Sequence, residues 1–478
     1  MNPKIFMMVF IVYVILMTIF GWFVSRKQKT GEDFLLAGRN LGVFLLMGTT
    51  IATCIGTGST MGAVGTGYNS GWLGAVYGLA VGIGLIITAL LFSDSREKKF
   101  VTMSEEVAYY YGGNKYIKAI VGILVFLASV GYLGGHIVGG GMYLSWATGI
   151  DLTYAKIITA VGFGLFTVIG GYVAVVWTDT VMACILFIGF IVMAAISLHL
   201  VGGLSSLELA AKGKIYSFGI DSIGWQAFLA IIASSSISII ATPSIRQRIY
   251  SGRNTKLIKS SFIASGVICA LFAFIPAIIG ISASILLPDL NQANFAFPKM
   301  AAIILTPAIG ILVIIAGLSA TMSSASSDAM AGTSILVRDL YPVIKKKQAD
   351  PNIIVKLSRY SLSLTIVIAV MFSIGANDVL SYLTKMLATI TTGLAICIIM
   401  GRFWKRATWQ GGLAAIFGGS FTSIAVIYIS VLGNLLGHPA VPALLMAIIC
   451  GIIVSLCTKK EVFDLAEVLK NLEAEITI

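Results

Sequence analysis

Stretches of about 20 predominantly apolar residues, the length needed to cross a hydrocarbon layer as a helix, recur along nearly the whole chain. No water is available inside a bilayer to satisfy backbone N–H and C=O groups. A spanning segment must therefore be a helix or part of a closed barrel. Barrel strands are about 10 residues long and alternate in polarity; these runs are longer and apolar on every face. The chain is thus expected to be an all-α polytopic membrane protein. Composition agrees: of 478 residues, 58% are hydrophobic and only 11% charged, too few to cover a soluble protein of this size.

Thirteen spans are predicted, at about 5–25, 42–69, 72–93, 117–147, 154–173, 177–202, 225–246, 260–287, 302–335, 357–375, 379–401, 411–433 and 438–457, and they are numbered 1 to 13 below. The loops after spans 1, 3, 7, 9 and 11 hold Arg26, Lys27 and Lys29; Arg96, Lys98 and Lys99; Arg246, Arg248 and Arg253; Lys345, Lys346 and Lys347; and Arg402, Lys405 and Arg406. The opposite loops hold only Lys156, Lys212, Lys214 and Lys299. Basic residues gather on the cytoplasmic side, so the N-terminus is expected outside and the C-terminus inside. The formal charge of +12 is read as orienting the protein in a bilayer, not as a nucleic-acid footprint. Span 1 is longer than a signal-peptide core and lacks a small-residue cleavage pattern, so it is kept as a span. The whole of 1–478 is expected to form one transmembrane domain, with a short acidic tail from Lys459.

Two spans carry helix-weakening sequence. Span 2 contains Ala52-Thr53-Cys54-Ile55-Gly56-Thr57-Gly58-Ser59, and span 7 contains Ser234-Ser235-Ser236-Ile237-Ser238 followed by Thr242-Pro243-Ser244. Broken helices at membrane depth are tolerated where they line a cavity, and a matching pair of them points to a transporter's binding site. Tight helix packing through small residues is the alternative. Span 9 reads Ala320-Thr321-Met322-Ser323-Ser324-Ala325-Ser326-Ser327-Asp328. Ser323 and Ser327 share a helix face, and Ser324 and Asp328 the adjoining strip. Hydroxyls and open carbonyls are ligands for hard cations, although serines also bond back to their own helix. Asp179, at the inner end of span 6, is either a buried functional acid or a solvated cap. His136 lies in the glycine-rich middle of span 4, as a structural histidine or a solute contact. Lys385, in span 11, reaches either the outer surface or the pocket.

Several classes are excluded. There is no Walker loop, and the Gly-x-Gly stretches lie inside apolar helices and do not follow strands. Neither a potassium-filter repeat nor an enzymatic constellation is found. The six cysteines (Cys54, Cys184, Cys269, Cys397, Cys450, Cys457) have neither metal-ligand nor disulfide-framework spacing.

The ordered motifs Asp33-Phe34-Leu35-Leu36-Ala37-Gly38-Arg39, Gly170-Gly171-Tyr172, Val176-Trp177-Thr178-Asp179, Gln247-Arg248, the serine run of span 9 and Phe403-Trp404-Lys405-Arg406 resemble the sodium:solute symporters over about residues 5–457. That family includes proline, pantothenate, sugar and sialic-acid carriers. The resemblance implies a LeuT-type five-plus-five inverted repeat, with repeats at about 42–202 and 225–401 and peripheral helices at 5–25, 411–433 and 438–457. It implies a sodium ion held by the carbonyls of Ala52, Ile55 and Ala320 and the hydroxyls of Ser323 and Ser324. In some members a second sodium lies deeper; the matching positions are Asp179, Ser323, Ser326 and Ser327. The solute is expected beside Thr53, Cys54, Gly56, Thr57, Ser59, Tyr132, His136, Ser235, Ser238 and Lys385.

There are departures from the family pattern. Ser326 stands where many members have aspartate, and His136 where many have glutamine. Tyr132 takes the place of the arginine of sialic-acid carriers, and Cys54 that of an acid in proline carriers. These argue against sialate and proline. His136 and Lys385, facing the pocket, would suit a carboxylate. The expected function is sodium-coupled import of a small polar organic solute by alternating access, with no enzymatic activity, in a bacterial cytoplasmic membrane, as a monomer with the lipid bilayer and the solute as its partners. The alternatives are a solute sensor on the same scaffold, against which the absence of an appended kinase argues, and proton coupling through Asp179 or Asp328.

Overall fold

The computed structural model describes residues 2–28, 30–210, 218–350, 352–376 and 387–477. The described residues form helices joined by short turns, with one isolated bridge between Leu41 and Gly252. Among the described residues, ten helices are long and apolar enough to cross a membrane, and the bent pair Val43–Cys54 and Gly58–Ser70 makes an eleventh. Spans 5 and 6 run on as one helix, Leu152–Leu200, of 49 residues. At about 1.5 Å per residue it would be near 70 Å long, more than twice a bilayer's hydrocarbon core. Gly171, with φ +57° and ψ −154°, interrupts it and leaves two lengths that can each cross. A Cβ there would meet the Phe34 ring at 2.7 Å, so glycine is required for space as well as for conformation.

Local signals set many helix ends. Asn2 caps Pro3–Ser25, Thr30 and Asp33 form a capping box, and Asn114 and Asp151 accept N–H groups at the starts of spans 4 and 5. Span 9 begins later than predicted, at Pro307, because Thr306-Pro307 starts a helix; residues 296–304 form a separate short helix ahead of it. Span 7 ends earlier than predicted: Ile220–Ile240 stops, and Thr242-Pro243 opens a new helix, Pro243–Ser251. The acidic tail contains a helix, Leu465–Thr477.

Span 9 is the central element. In its most apolar window 83% of residues are buried within the protein, against 28% for Ile354–Ser373 and for Ala440–Cys457, which present apolar side chains outward. At one end of the bundle the loops after spans 1, 3, 7 and 11 meet. Arg39 donates to the carbonyls of Lys99 and Phe100, each at 2.8 Å, Arg96 to the carbonyl of Gly252 at 2.6 Å, and Arg402 to Asp94 at 2.8 Å.

Three basic residues read from sequence as loop charges are buried structural groups. Lys156 donates to the carbonyls of Ser373 (2.8 Å), Ile374 (3.1 Å) and Ala376 (2.7 Å), closing the C-terminal end of span 10 with a cation. Arg246 pairs with Glu106 and lies 4.3 Å above the Phe92 ring. Arg248 lies wholly inside the protein.

Candidate functional site

The site begins at the break in span 2. The helix stops at Cys54; Ile55 adopts φ −94° and ψ 63°, and the chain resumes as a helix at Gly58, bent by 57°. The break frees carbonyls at Ala52 and Thr53. Ser323 Oγ donates to Ala52 O at 3.0 Å and to Ala320 O at 3.2 Å. Ser324 Oγ reaches Ala52 O (3.3 Å), Thr53 O (3.0 Å) and Ala320 O (3.2 Å). Five oxygens from two spans therefore converge. Their separations are long for hydroxyl–carbonyl hydrogen bonds, which favour about 2.7–2.8 Å. They match what ligands about 2.3–2.6 Å from a shared hard cation would show. Ala52, Ala320, Ser323 and Ser324 are brought together; the fifth oxygen is the Thr53 carbonyl, and Ile55 marks the break itself.

Gly56 allows this approach. A Cβ on it would lie 2.4 Å from Ser324 Oγ and 2.7 Å from His136 Cε1. Span 2 can thus pack its backbone directly on spans 4 and 9.

One helical turn further along span 9, the second group of polar residues is differently occupied. Asp179 is buried in a helix interior, neither solvated nor a cap. Its Oδ2 accepts from Thr49 (2.6 Å), Ser327 (2.9 Å) and Arg248 (3.2 Å), and Oδ1 from Ser326 (3.4 Å). The Arg248 Nη2 group also donates to the hydroxyls of Thr49 and Ser327, each at 2.6 Å, and of Thr53, while Nη1 donates to Ser244 O at 2.7 Å. A guanidinium therefore sits among the oxygens expected to hold a second sodium. Arg248 does not stand out in the sequence as a buried group, because the apolar run of span 7 continues to about residue 246 and leaves it in a loop. Proline directly after threonine, a helix-start signal, could have placed the arginines inside a new helix.

Beside both groups lies a cavity of about 50 Å³, several times the roughly 10–15 Å³ that one water needs, so it suits a small solute. Of the residues predicted to meet solute, Thr53, Cys54, Gly56, Ser59, Tyr132, His136, Ser235 and Ser238 line it. Thr57 does not; its hydroxyl is 2.8 Å from His136 Nδ1 and orients that ring. Lys385 lies outside the described residues. Asp328, Tyr77, Thr242 and Ser244 line the cavity without having been predicted to. Asp328 Oδ2 is 3.4 Å from His136 Nε2.

A family model described as "Sodium:solute symporter family" matches residues 34–419. The chain belongs to the sodium:solute symporter family. Among curated proteins, this symporter is 24% identical to the sodium/pantothenate symporter of Escherichia coli, over 92% of this chain and 94% of the relative. It is also 24% identical to the osmoregulated proline transporter OpuE of Bacillus subtilis, over 94% of each chain. Among solved structures, a sodium-coupled sialic acid symporter in a substrate-bound outward-open state superposes with a TM-score of 0.84, at 18% identity, over 96% of this chain and 99% of that one. The nucleobase-cation-symport-1 family transporter Mhp1 in a closed conformation superposes with a TM-score of 0.61, at 15% identity, over 92% of this chain and 98% of that one. The fold is therefore the LeuT type expected from the motifs, and the protein is a sodium-coupled solute symporter.

Proposed function

We propose that the symporter carries one sodium ion per cycle, held by the carbonyls of Ala52, Thr53 and Ala320 and the hydroxyls of Ser323 and Ser324, with the Ile55 carbonyl at the break as the further ligand expected from the family pattern, together with one small solute bound in the adjoining cavity. The observation that carries this reading is the convergence of the two serine hydroxyls on carbonyls released by the break in span 2. An ion there ties span 2 to span 9. It favours the solute-ready state only by binding that state more tightly than the other. With the ion in place, the repeat at about 42–202 and the repeat at about 225–401 rock to expose the cavity to the other side. One charge moving through about 100 mV contributes roughly 2.3 kcal/mol, enough for about fifty-fold accumulation of solute.

Arg248 supplies the fixed cation for Asp179 and Ser327, which supports a stoichiometry of one sodium, not two. The meeting of the basic loops at one end of the bundle supports an orientation with that end in the cytoplasm and the N-terminus outside, in a bacterial cytoplasmic membrane. The protein is taken to work as a monomer, with no nucleic-acid partner and no catalytic activity.

The test is the Ser323→Ala/Ser324→Ala variant, purified and heated in sodium or in potassium at equal ionic strength. The wild type should melt higher in sodium, and the variant should melt at the same temperature in both. A sodium-specific shift that survives in the variant would refute the site.

A further inference from the structure

The solute cavity contains one fixed charge among its described lining residues, and it is negative. Asp328 is nine-tenths buried or more. Its only polar contact among the described residues is His136 Nε2, at 3.4 Å. That distance is too long for a strong charge-assisted hydrogen bond, which lies near 2.7–2.9 Å. The carboxylate is therefore under-satisfied in a place where burial makes an unpaired charge costly. No arginine or lysine lines the cavity among the described residues. The Ser244 hydroxyl also lines the cavity, is buried and has no hydrogen-bond partner among the described residues, which leaves it open to a polar ligand of either kind.

A carboxylate solute lacking an amine would bring like charge against Asp328 and leave that acid unpaired. A protonated amine brings N–H donors and a compensating charge. Resting on the sodium-symport reading above, we infer that the solute carries a protonated amine, as a small cation or a zwitterion, and that Asp328 receives it. His136 is a positioning residue: Thr57 holds its Nδ1 and its Nε2 faces Asp328. The arrangement also couples the two cargoes. Asp328 is four residues after Ser324, on the same strip of span 9, so solute and sodium both fix the placement of one helix. The expectation that His136 would suit a carboxylate is thereby reversed, because the ring faces an acid.

The test is thermal stability of the purified full chain in sodium and in potassium with matched small probes. Alanine, alaninamide and ethanolamine carry amines; propionate and lactate are acids without one; propionamide is neutral. The amine-bearing set should include at least one member that raises the melting temperature in sodium and not in potassium, and the other probes should not. Asp328→Asn should weaken that probe's half-maximal concentration by tenfold or more while keeping the shift caused by sodium alone. Asp328→Glu should recover part of the response, and serves if the asparagine variant fails to fold. Silence of every amine-bearing probe, an equal response to an acid or neutral probe, or an unchanged amine response in Asp328→Asn would overturn the inference. Loss of the sodium shift in the wild type would instead overturn the sodium site.

Discussion

Arg248→Ala is the most informative perturbation of the cation sites. Nη2 of Arg248 is 3.2 Å from Asp179 and donates to the hydroxyls of Thr49, Thr53 and Ser327, and all of these groups are buried or nearly so. Removing one partner of a buried, hydrogen-bonded ion pair costs about 3–5 kcal/mol, because the other charge is left uncompensated. For 478 residues an unfolding entropy of about 2.1 cal/mol/K per residue gives about 1 kcal/mol per degree, so the variant should melt about 3–5 °C below the wild type in potassium. The truncation also leaves Asp179 and the hydroxyls of Thr49, Thr53, Ser326 and Ser327 around the space of a lost cation, an all-oxygen set of the kind a hard cation takes. Sodium at 100 times its dissociation constant would restore about 2.7 kcal/mol, or nearly 3 °C. The assay is a sodium titration of melting temperature for wild type, Arg248→Ala and Asp179→Asn/Arg248→Ala, with potassium keeping ionic strength constant. Arg248→Ala should show a larger and steeper sodium response than wild type, and the double variant should lose the extra response along with the carboxylate. Identical sodium titrations for wild type and Arg248→Ala would refute the claim that the guanidinium occupies a cation position.

Two further predictions test the packing that positions the sites. Gly56→Ala places a methyl 2.4 Å from Ser324 Oγ and should cost about 1–3 kcal/mol in overpacking; the same push on Ser324 should raise the sodium concentration for half-maximal stabilisation about tenfold, read from the same titration. Lys156→Met removes the donor to three carbonyls at the end of span 10 and should cost about 2–3 kcal/mol, seen as a lower melting temperature with an unchanged sodium response; a sodium-specific defect would contradict its role as a cap.

Local chemistry is legible in the chain alone. Apolar length made the segments membrane helices, because a backbone in lipid must satisfy itself within each span. Gly56 and Gly58 in span 2, and Thr242-Pro243 after span 7, marked where helices would stop. The spacing of Ser323, Ser324, Ser327 and Asp328 put oxygens on neighbouring strips of span 9. Which groups meet across the bundle depends on how the helices pack. Arg248 lies 69 residues from Asp179 in sequence and Lys156 lies 217 from Ser373, so no local pattern shows that those cations are buried against those partners. Asp328 could not be assigned to the ion or to the solute from its position on one helix, since that depends on where span 4 brings His136. Charge in a membrane protein orients the chain when it is exposed and holds it together when it is paired. The difference is burial, which belongs to the packed helices and not to any one of them.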